Sequence, residues 1–116
     1  MADDRSQART ASAINIAAGI WLILAPFILG YTEIVQALWN DIIVGVIVAV
    51  IAALRVFTPV RSNWLSWVNV ILGFWLIVAP FILGYPIATP RWNDIILGII
   101  IIVLSVWSAT SARSQA

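Results

Sequence analysis

The sequence predicts an all-α membrane protein with four transmembrane helices, arranged as two tandem helical hairpins that repeat in parallel. Composition is the first observation behind this prediction: 63% of the 116 residues are hydrophobic and 9% are charged. A soluble domain carries about 25% charged residues. The second observation is that a two-helix unit occurs twice along the chain. We therefore expect most of the protein to be surrounded by lipid.

The internal repeat is visible in two blocks of sequence. Residues 14–31 align with residues 68–85 at an offset of 54, and 12 of these 18 positions are identical. Beyond the predicted hairpin loop, Trp-Asn-Asp-Ile-Ile occurs at 39–43 and again at 92–96, an offset of 53. Each unit thus contains a helix, a short loop and a second helix, and the two units run in the same direction through the membrane.

The uncharged stretches predict the four helices, each close to the length of about 20 residues that a bilayer core requires. These helices are 11–29, 37–57, 63–83 and 90–109. We expect Gly30 and Gly84 to end the first helix of each hairpin, and Thr89 and Pro90 to begin the last helix. The resulting segments are a solvated N-terminal tail (1–10), the first repeat (11–57), a cytoplasmic linker (58–62), the second repeat (63–109) and a C-terminal tail (110–116).

Pro26 and Pro80 lie inside the first and third predicted helices, and we expect each to kink its helix. Each proline frees the backbone carbonyl four residues earlier, which in lipid needs an internal hydrogen-bond donor. The indoles of Trp21 and Trp75 are candidates for that role. A fixed bend that shapes the bundle is the favoured interpretation, and a gating hinge is the alternative.

A stripe of small and amide residues follows one face of the first and third helices, and the second and fourth helices offer small residues of their own. These positions are Asn15, Gly19, Gly45, Asn69, Gly73 and Gly98. Small residues let membrane helices approach closely, and amides hydrogen-bond between them, so the pattern predicts a packing seam. A polar binding site along the same stripe is the alternative.

Asp41 and Asp94 are the two ionisable residues that occur at equivalent positions in both units, each directly after Trp-Asn. We expect both carboxylates in the first turn of a helix, where they favour the positive end of the helix dipole. Trp39 and Trp92 would then anchor the membrane interface beside them. A proton or cation site formed by the two aspartates is the alternative.

The combination of Trp, a small-Pro-aromatic turn, Leu-Gly-Tyr and a Trp-Asn start to the next helix resembles the SPW repeat family. That family consists of small bacterial and archaeal membrane proteins with two transmembrane helices per repeat, named for Ser-Pro-Trp in the first. Here the tripeptides are Ala-Pro-Phe at 25–27 and 79–81, and the similarity extends over 14–107. The resemblance implies membrane residence and two hairpins, and the family has no agreed activity to transfer.

The composition also argues against several classes of function. With neither His nor Cys, the chain lacks the commonest metal ligands, general bases and thiol nucleophiles, so we expect no enzyme and no cofactor. Contact with lipid or an apolar pigment stays open. A net charge of +1 without a basic cluster argues against a nucleic-acid partner.

The expected role is that of a non-catalytic structural or accessory protein. Its partners would be membrane lipids and either other membrane subunits or copies of itself. The alternative is a small oligomeric transporter or channel that uses Asp41 and Asp94.

Arginine placement predicts the orientation in a prokaryotic inner membrane, because short loops rich in arginine stay in the cytoplasm. The hairpin loops contain Arg91 alone, and Arg55 is expected to reach the interface by snorkelling. The tails, the linker and its approach hold Arg5, Arg9, Arg55, Arg61 and Arg113. Both termini are therefore expected in the cytoplasm.

Reporter fusions test this topology. A reporter that is active only in the cytoplasm should be active when fused to either terminus, because five arginines lie on that side and one on the other. A C-terminus found in the periplasm would contradict the four-helix topology.

Overall fold

A computed structural model describes residues 2–58 and 63–113, and this part of the chain contains helices and no strand. Each of its four helices includes a segment of 21 to 24 residues that is long and apolar enough to cross a membrane. The all-helical, four-span prediction is confirmed. Apart from Thr58, the predicted linker 58–62 lies outside the described residues. The helices are α1 (Ala2–Leu29), α2 (Val35–Phe57), α3 (Asn63–Leu83) and α4 (Ala88–Arg113).

Two helices extend well beyond their predicted ends. Helix α1 begins at Ala2 instead of residue 11, and Ala8 is buried against α4, where the Ser108 hydroxyl donates a hydrogen bond to the Ala8 carbonyl. Helix α4 continues to Arg113, and Ser111 lies within hydrogen-bonding distance of Gln7. The predicted tails at 1–10 and 110–116 are thus helical over their described parts, because the start of α1 packs against the end of α4.

The same turn ends the first helix of both hairpins. Gly30 has a φ of +80°, and the Tyr31 N–H donates to the Pro26 carbonyl oxygen at 3.0 Å. The equivalent glycine of the second unit has a φ of +69°, and the Tyr85 N–H donates to Pro80 at 3.1 Å. This arrangement is the Schellman helix ending, which favours glycine because other residues are strained at positive φ. Both helices continue through their prolines to this turn, and the predicted kink stays a prediction.

The helices form a four-membered bundle in which α1 contacts α2 and α4, and α3 contacts α4 and α2. Within each hairpin the two backbones cross at glycines. A Cβ atom on Gly45 would lie 2.6 Å from the Gly19 carbonyl oxygen, and one on Gly98 would lie 2.6 Å from the Gly73 carbonyl oxygen. The four glycines of the predicted seam therefore lie between the helices of their own hairpin.

An apolar core to which both hairpins contribute occupies the centre of the bundle. Leu22 and Leu76 occupy equivalent positions in the two units, as do Val48 and Ile101, and all four are buried in this core. Outside it, every helix exposes large apolar side chains, as expected for surfaces that face lipid or other membrane helices. We call the end with the loops 30–34 and 84–87 the hairpin end, and the opposite one the linker end.

Gly45→Ala is expected to destabilise the bundle, because the added methyl group would meet the Gly19 backbone. We expect a net loss of about 1 to 3 kcal/mol from overpacking, although alanine alone would favour a helix by about 1 kcal/mol over glycine. Gly98→Ala should behave in the same way. Thermal unfolding in detergent, followed by circular dichroism, measures the change.

Ala17→Leu is the matched control, since Ala17 is exposed on α1 and a larger apolar side chain there meets no neighbouring helix backbone. It should leave the unfolding temperature close to that of the parent. An unchanged or raised stability for both glycine variants would contradict the close crossing.

Candidate functional site

A polar network built from both repeats occupies the hairpin end of the bundle. In each hairpin, a tyrosine in the loop donates to an aspartate on the second helix: Tyr31 Oη to Asp41 Oδ2 at 2.5 Å, and Tyr85 Oη to Asp94 Oδ2 at 2.8 Å. The Schellman turns place both tyrosines, and all four side chains are buried. Each hairpin is therefore closed by a hydrogen bond across its own loop.

Two asparagines connect each of these bonds to the other hairpin. Asn40 Nδ2 donates to Tyr85 Oη at 3.0 Å and to Asp94 Oδ2 at 3.3 Å. In the reverse direction, Asn93 Nδ2 donates to Tyr31 Oη at 3.1 Å. Each asparagine precedes the aspartate of its own unit in the sequence but bonds the tyrosine of the other unit. The exchange joins the two hairpins.

Two tryptophans complete the network. The Trp21 indole N–H donates to Asn93 Oδ1 at 2.8 Å, and the Trp75 indole N–H donates to Asn40 Oδ1 at 2.7 Å. Each bond fixes the orientation of its amide, so that the NH₂ group points at the tyrosine. The expectation that these indoles serve the carbonyls freed by the prolines is wrong, because the one indole hydrogen is used by an asparagine of the opposite hairpin.

The anchoring interpretation is wrong for the two aspartates. Asp41 and Asp94 lie in the second turn of their helices, whose first turns contain no acidic residue, and both are 0% exposed. Helices α2 and α4 begin two residues earlier than the sequence predicts, so neither aspartate lies in a first turn, and both lie on the helix face that packs inside the bundle. Trp39 and Trp92, by contrast, are 56% and 59% exposed on the outer surface.

The aspartates carry the only unsatisfied oxygens of the hairpin-end network. Asp41 Oδ1 and Asp94 Oδ1 are buried without a hydrogen-bond partner, and both carboxyl groups belong to one cluster, since Asn40, next to Asp41 in the chain, donates to Asp94 Oδ2. Burial raises the pKa values of the Tyr31 and Tyr85 phenols above that of an ordinary tyrosine, and the adjacent carboxyl groups raise both values further. Both phenols therefore keep their protons and act as donors.

A second polar cluster surrounds Ser108 at the linker end. Arg55 Nη2 donates to the Ser108 hydroxyl at 2.8 Å, to its carbonyl oxygen at 2.9 Å and to Asn63 Oδ1 at 3.2 Å. The hydroxyls of Ser12 and Ser66 lie 2.9 and 3.4 Å from that of Ser108. Arg55 is 1% exposed, so the snorkelling expectation is wrong: oxygens of Asn63 on α3 and Ser108 on α4 accept hydrogen bonds from the guanidinium inside the bundle.

The predicted seam contributes to two different contacts. Its glycines serve the crossing within each hairpin, whereas Asn15 Nδ2 donates to Ser105 Oγ at 2.9 Å and so joins α1 to α4 of the other hairpin. Asn69, at the equivalent position, is also buried. The amide and glycine positions of one stripe therefore act on different neighbours.

Sequence reasoning did not single out Tyr31, Tyr85, Asn40 or Asn93 as site residues. A signal for them was present. All four are polar, all four recur at equivalent positions, and all four flank apolar spans that hold few other hydrogen-bonding side chains. Repetition of a polar residue in such a setting indicates a shared structural or chemical task.

Comparison with known families agrees with this architecture. The family model described as the SPW repeat domain matches residues 9–108, which is most of the chain. The chain belongs to the SPW repeat family. No curated protein and no solved structure matches it. The hairpin-end network of this SPW repeat protein is formed by residues within the matched region, with equal contributions from its two repeats.

Asn40→Ala should destabilise the protein, because the Trp75 N–H then loses its acceptor and Asp94 loses a donor. The expected cost is about 1 to 3 kcal/mol, as for other buried groups left unsatisfied. Asn93→Ala should have a similar effect. The control is Gln36→Ala, since Gln36 is exposed on α2, the helix that carries Asn40. The unfolding temperature in detergent measures all three, and equal values for Asn40→Ala and the control would contradict the network.

Proposed function

We propose that this SPW repeat protein is a non-catalytic structural or accessory subunit that packs against other membrane subunits or against copies of itself. The observation that supports the proposal is the division between inside and outside. The polar side chains of both clusters point inward and hydrogen-bond to one another, while the helices expose apolar residues along their spans. Such exposed residues on the four helices include Ile20, Val50, Ile71 and Val103.

Tryptophans on the outer surface support a position across a bilayer. Trp39 and Trp92 are exposed toward the hairpin end, and Trp64, Trp67 and Trp107 are exposed toward the linker end. Tryptophan favours the two interfaces of a membrane, where its ring is apolar and its N–H meets water or headgroups. Together with the arginine distribution, this supports an inner-membrane protein with both termini in the cytoplasm and with lipids as permanent neighbours.

The absence of cysteine from the natural sequence allows a direct test of partner contact. Single cysteines introduced as Ile20→Cys, Val50→Cys, Ile71→Cys and Val103→Cys would each carry a thiol-linked photo-crosslinker on one helix. In native membranes, at least one of these faces should give a protein adduct of defined mass, because a subunit contacts its partner through a particular face. Leu76→Cys, in the buried core, is the control and should give none.

Mass spectrometry of the adduct distinguishes a second copy of the chain from another membrane protein, and either result supports the proposal. Lipid adducts alone from all four faces, together with a monomeric mass in mild detergent, would contradict it.

A small oligomeric transporter or channel is the second candidate, and one observation favours it. Asp41 and Asp94 offer buried carboxyl oxygens without partners inside membrane-spanning helices, and such groups often lie on ion or proton paths.

Flux into proteoliposomes tests this candidate with the parent protein and with the double variant Asp41→Asn/Asp94→Asn. On the structural proposal, the double variant assembles like the parent, and neither conducts above empty vesicles. A flux that the correctly assembled double variant loses would overturn the structural proposal in favour of transport.

A further inference from the structure

We propose that Asp41 and Asp94 together form a binding site for one proton, which their Oδ1 atoms share across the contact between the two hairpins. This site is compatible with either role considered above and does not depend on the choice between them.

Burial and charge make a fully ionised pair unfavourable. Both carboxyl groups are 0% exposed and lie in membrane-spanning helices. Two negative charges in one buried cluster of low dielectric repel strongly, and the usual outcome is that one group keeps its proton.

The charged and titratable groups around the pair do not replace that proton. The loops that follow α1 and α3 contribute the phenols of Tyr31 and Tyr85, which are donors without charge. On α4, Arg91 Nη2 is directed at the Tyr85 backbone carbonyl oxygen at 3.4 Å. Glu33, in the first hairpin loop, is exposed and negative. On α2, Arg55 is bound to Ser108 at the opposite end of the bundle.

The two unpartnered oxygens define where the proton lies. Each Oδ2 atom already accepts a hydrogen bond, whereas Asp41 Oδ1 and Asp94 Oδ1 have no partner. Ionised carboxylate oxygens can accept but not donate, so two such oxygens can partner each other only when a hydrogen lies between them. A single proton makes one group the donor and the other the acceptor.

The surrounding donors indicate which aspartate holds the proton. Asp94 Oδ2 accepts two hydrogen bonds, from Tyr85 and Asn40, whereas Asp41 Oδ2 accepts one, from Tyr31. Hydrogen bonds to a carboxylate favour its charged form. The negative charge is therefore better stabilised on Asp94, and Asp41 is the protonated partner whose Oδ1–H donates to Asp94 Oδ1.

A proton fits this site better than a divalent cation. The described residues contain no group of three or more acidic or histidine side chains that could hold a metal ion, whereas calcium takes about six to eight oxygen ligands.

Infrared spectroscopy of the full-length protein in lipid vesicles at neutral pH tests the assignment. A protonated carboxyl group has a C=O stretching band that an ionised carboxylate lacks. The parent should show a band equivalent to one protonated carboxyl group per chain. Labelling the aspartate carboxyl carbons with ¹³C should shift this band, and replacing the solvent with D₂O should shift it as well.

Asp41→Asn and Asp94→Asn should each abolish the band while the helical circular dichroism is retained. In both variants the asparagine amide takes the place of the acid proton as donor to the remaining carboxylate. Asp41→Asn should have the higher unfolding temperature of the two, because the carboxylate that it leaves is the one with two donors. Glu33→Gln, at an exposed acid of the adjacent loop, is the control and should keep the band.

Three results would overturn the proposal. Absence of the band from the parent means that no proton is shared; if sodium or potassium then raises the unfolding temperature of the parent and not of the double variant, the site binds a cation instead. A band that persists in both single variants means that each aspartate carries its own proton. A band that ¹³C-aspartate labelling leaves unshifted belongs to another group. The labelling result needs no variant, so it decides the question even if the substituted proteins fail to insert.

Discussion

The hydrogen bonds exchanged between the two hairpins are the interaction on which the rest of the structure depends. Within a bilayer there is no water to satisfy a buried polar group, so every donor needs a partner inside the protein. The chain of bonds from Trp21 to Asn93, Tyr31 and Asp41 crosses between the repeats twice. A single hairpin would keep its tyrosine–aspartate bond and lose its other partners, so the two-repeat chain is the smallest unit that satisfies the network.

The two ends of the bundle use the repeat differently. At the hairpin end the tyrosine–aspartate, asparagine–tyrosine and tryptophan–asparagine bonds of one unit have counterparts in the other. At the linker end, by contrast, Arg55 of the first repeat meets Ser108 at the equivalent position of the second. A second arginine at this position would bring two like charges into one buried cluster. Serine instead supplies oxygens that accept from the guanidinium. The two repeats are thus alike at the hairpin end, whereas at the linker end the equivalent positions hold an arginine and a serine, which avoids two buried like charges.

At the hairpin end, the structural and chemical roles of Asp41 and Asp94 are connected. The same carboxyl groups that close each hairpin belong to one network that crosses the contact between the hairpins. With the shared proton that we propose, the pair has one donor and one acceptor, and the contact is satisfied. Without it, two acceptors would face each other in a low dielectric. Protonation and the contact between hairpins are therefore linked in this protein, whatever partner its apolar surface meets.

The four spans, the tandem repeat, the glycine endings at Gly30 and Gly84, and the family could all be predicted from the amino-acid sequence. These features depend on local chemistry: the length of apolar stretches, the backbone freedom of glycine, and identity between two segments. Tertiary structure alone decided that Asp41 and Asp94 are buried, that Arg55 points inward, and that the tryptophans bond asparagines of the opposite hairpin. These outcomes depend on groups that lie far away in the chain, such as the 72 positions between Trp21 and its acceptor. A hydrophobic pattern shows which segments enter the membrane, but it does not show which polar groups will meet there.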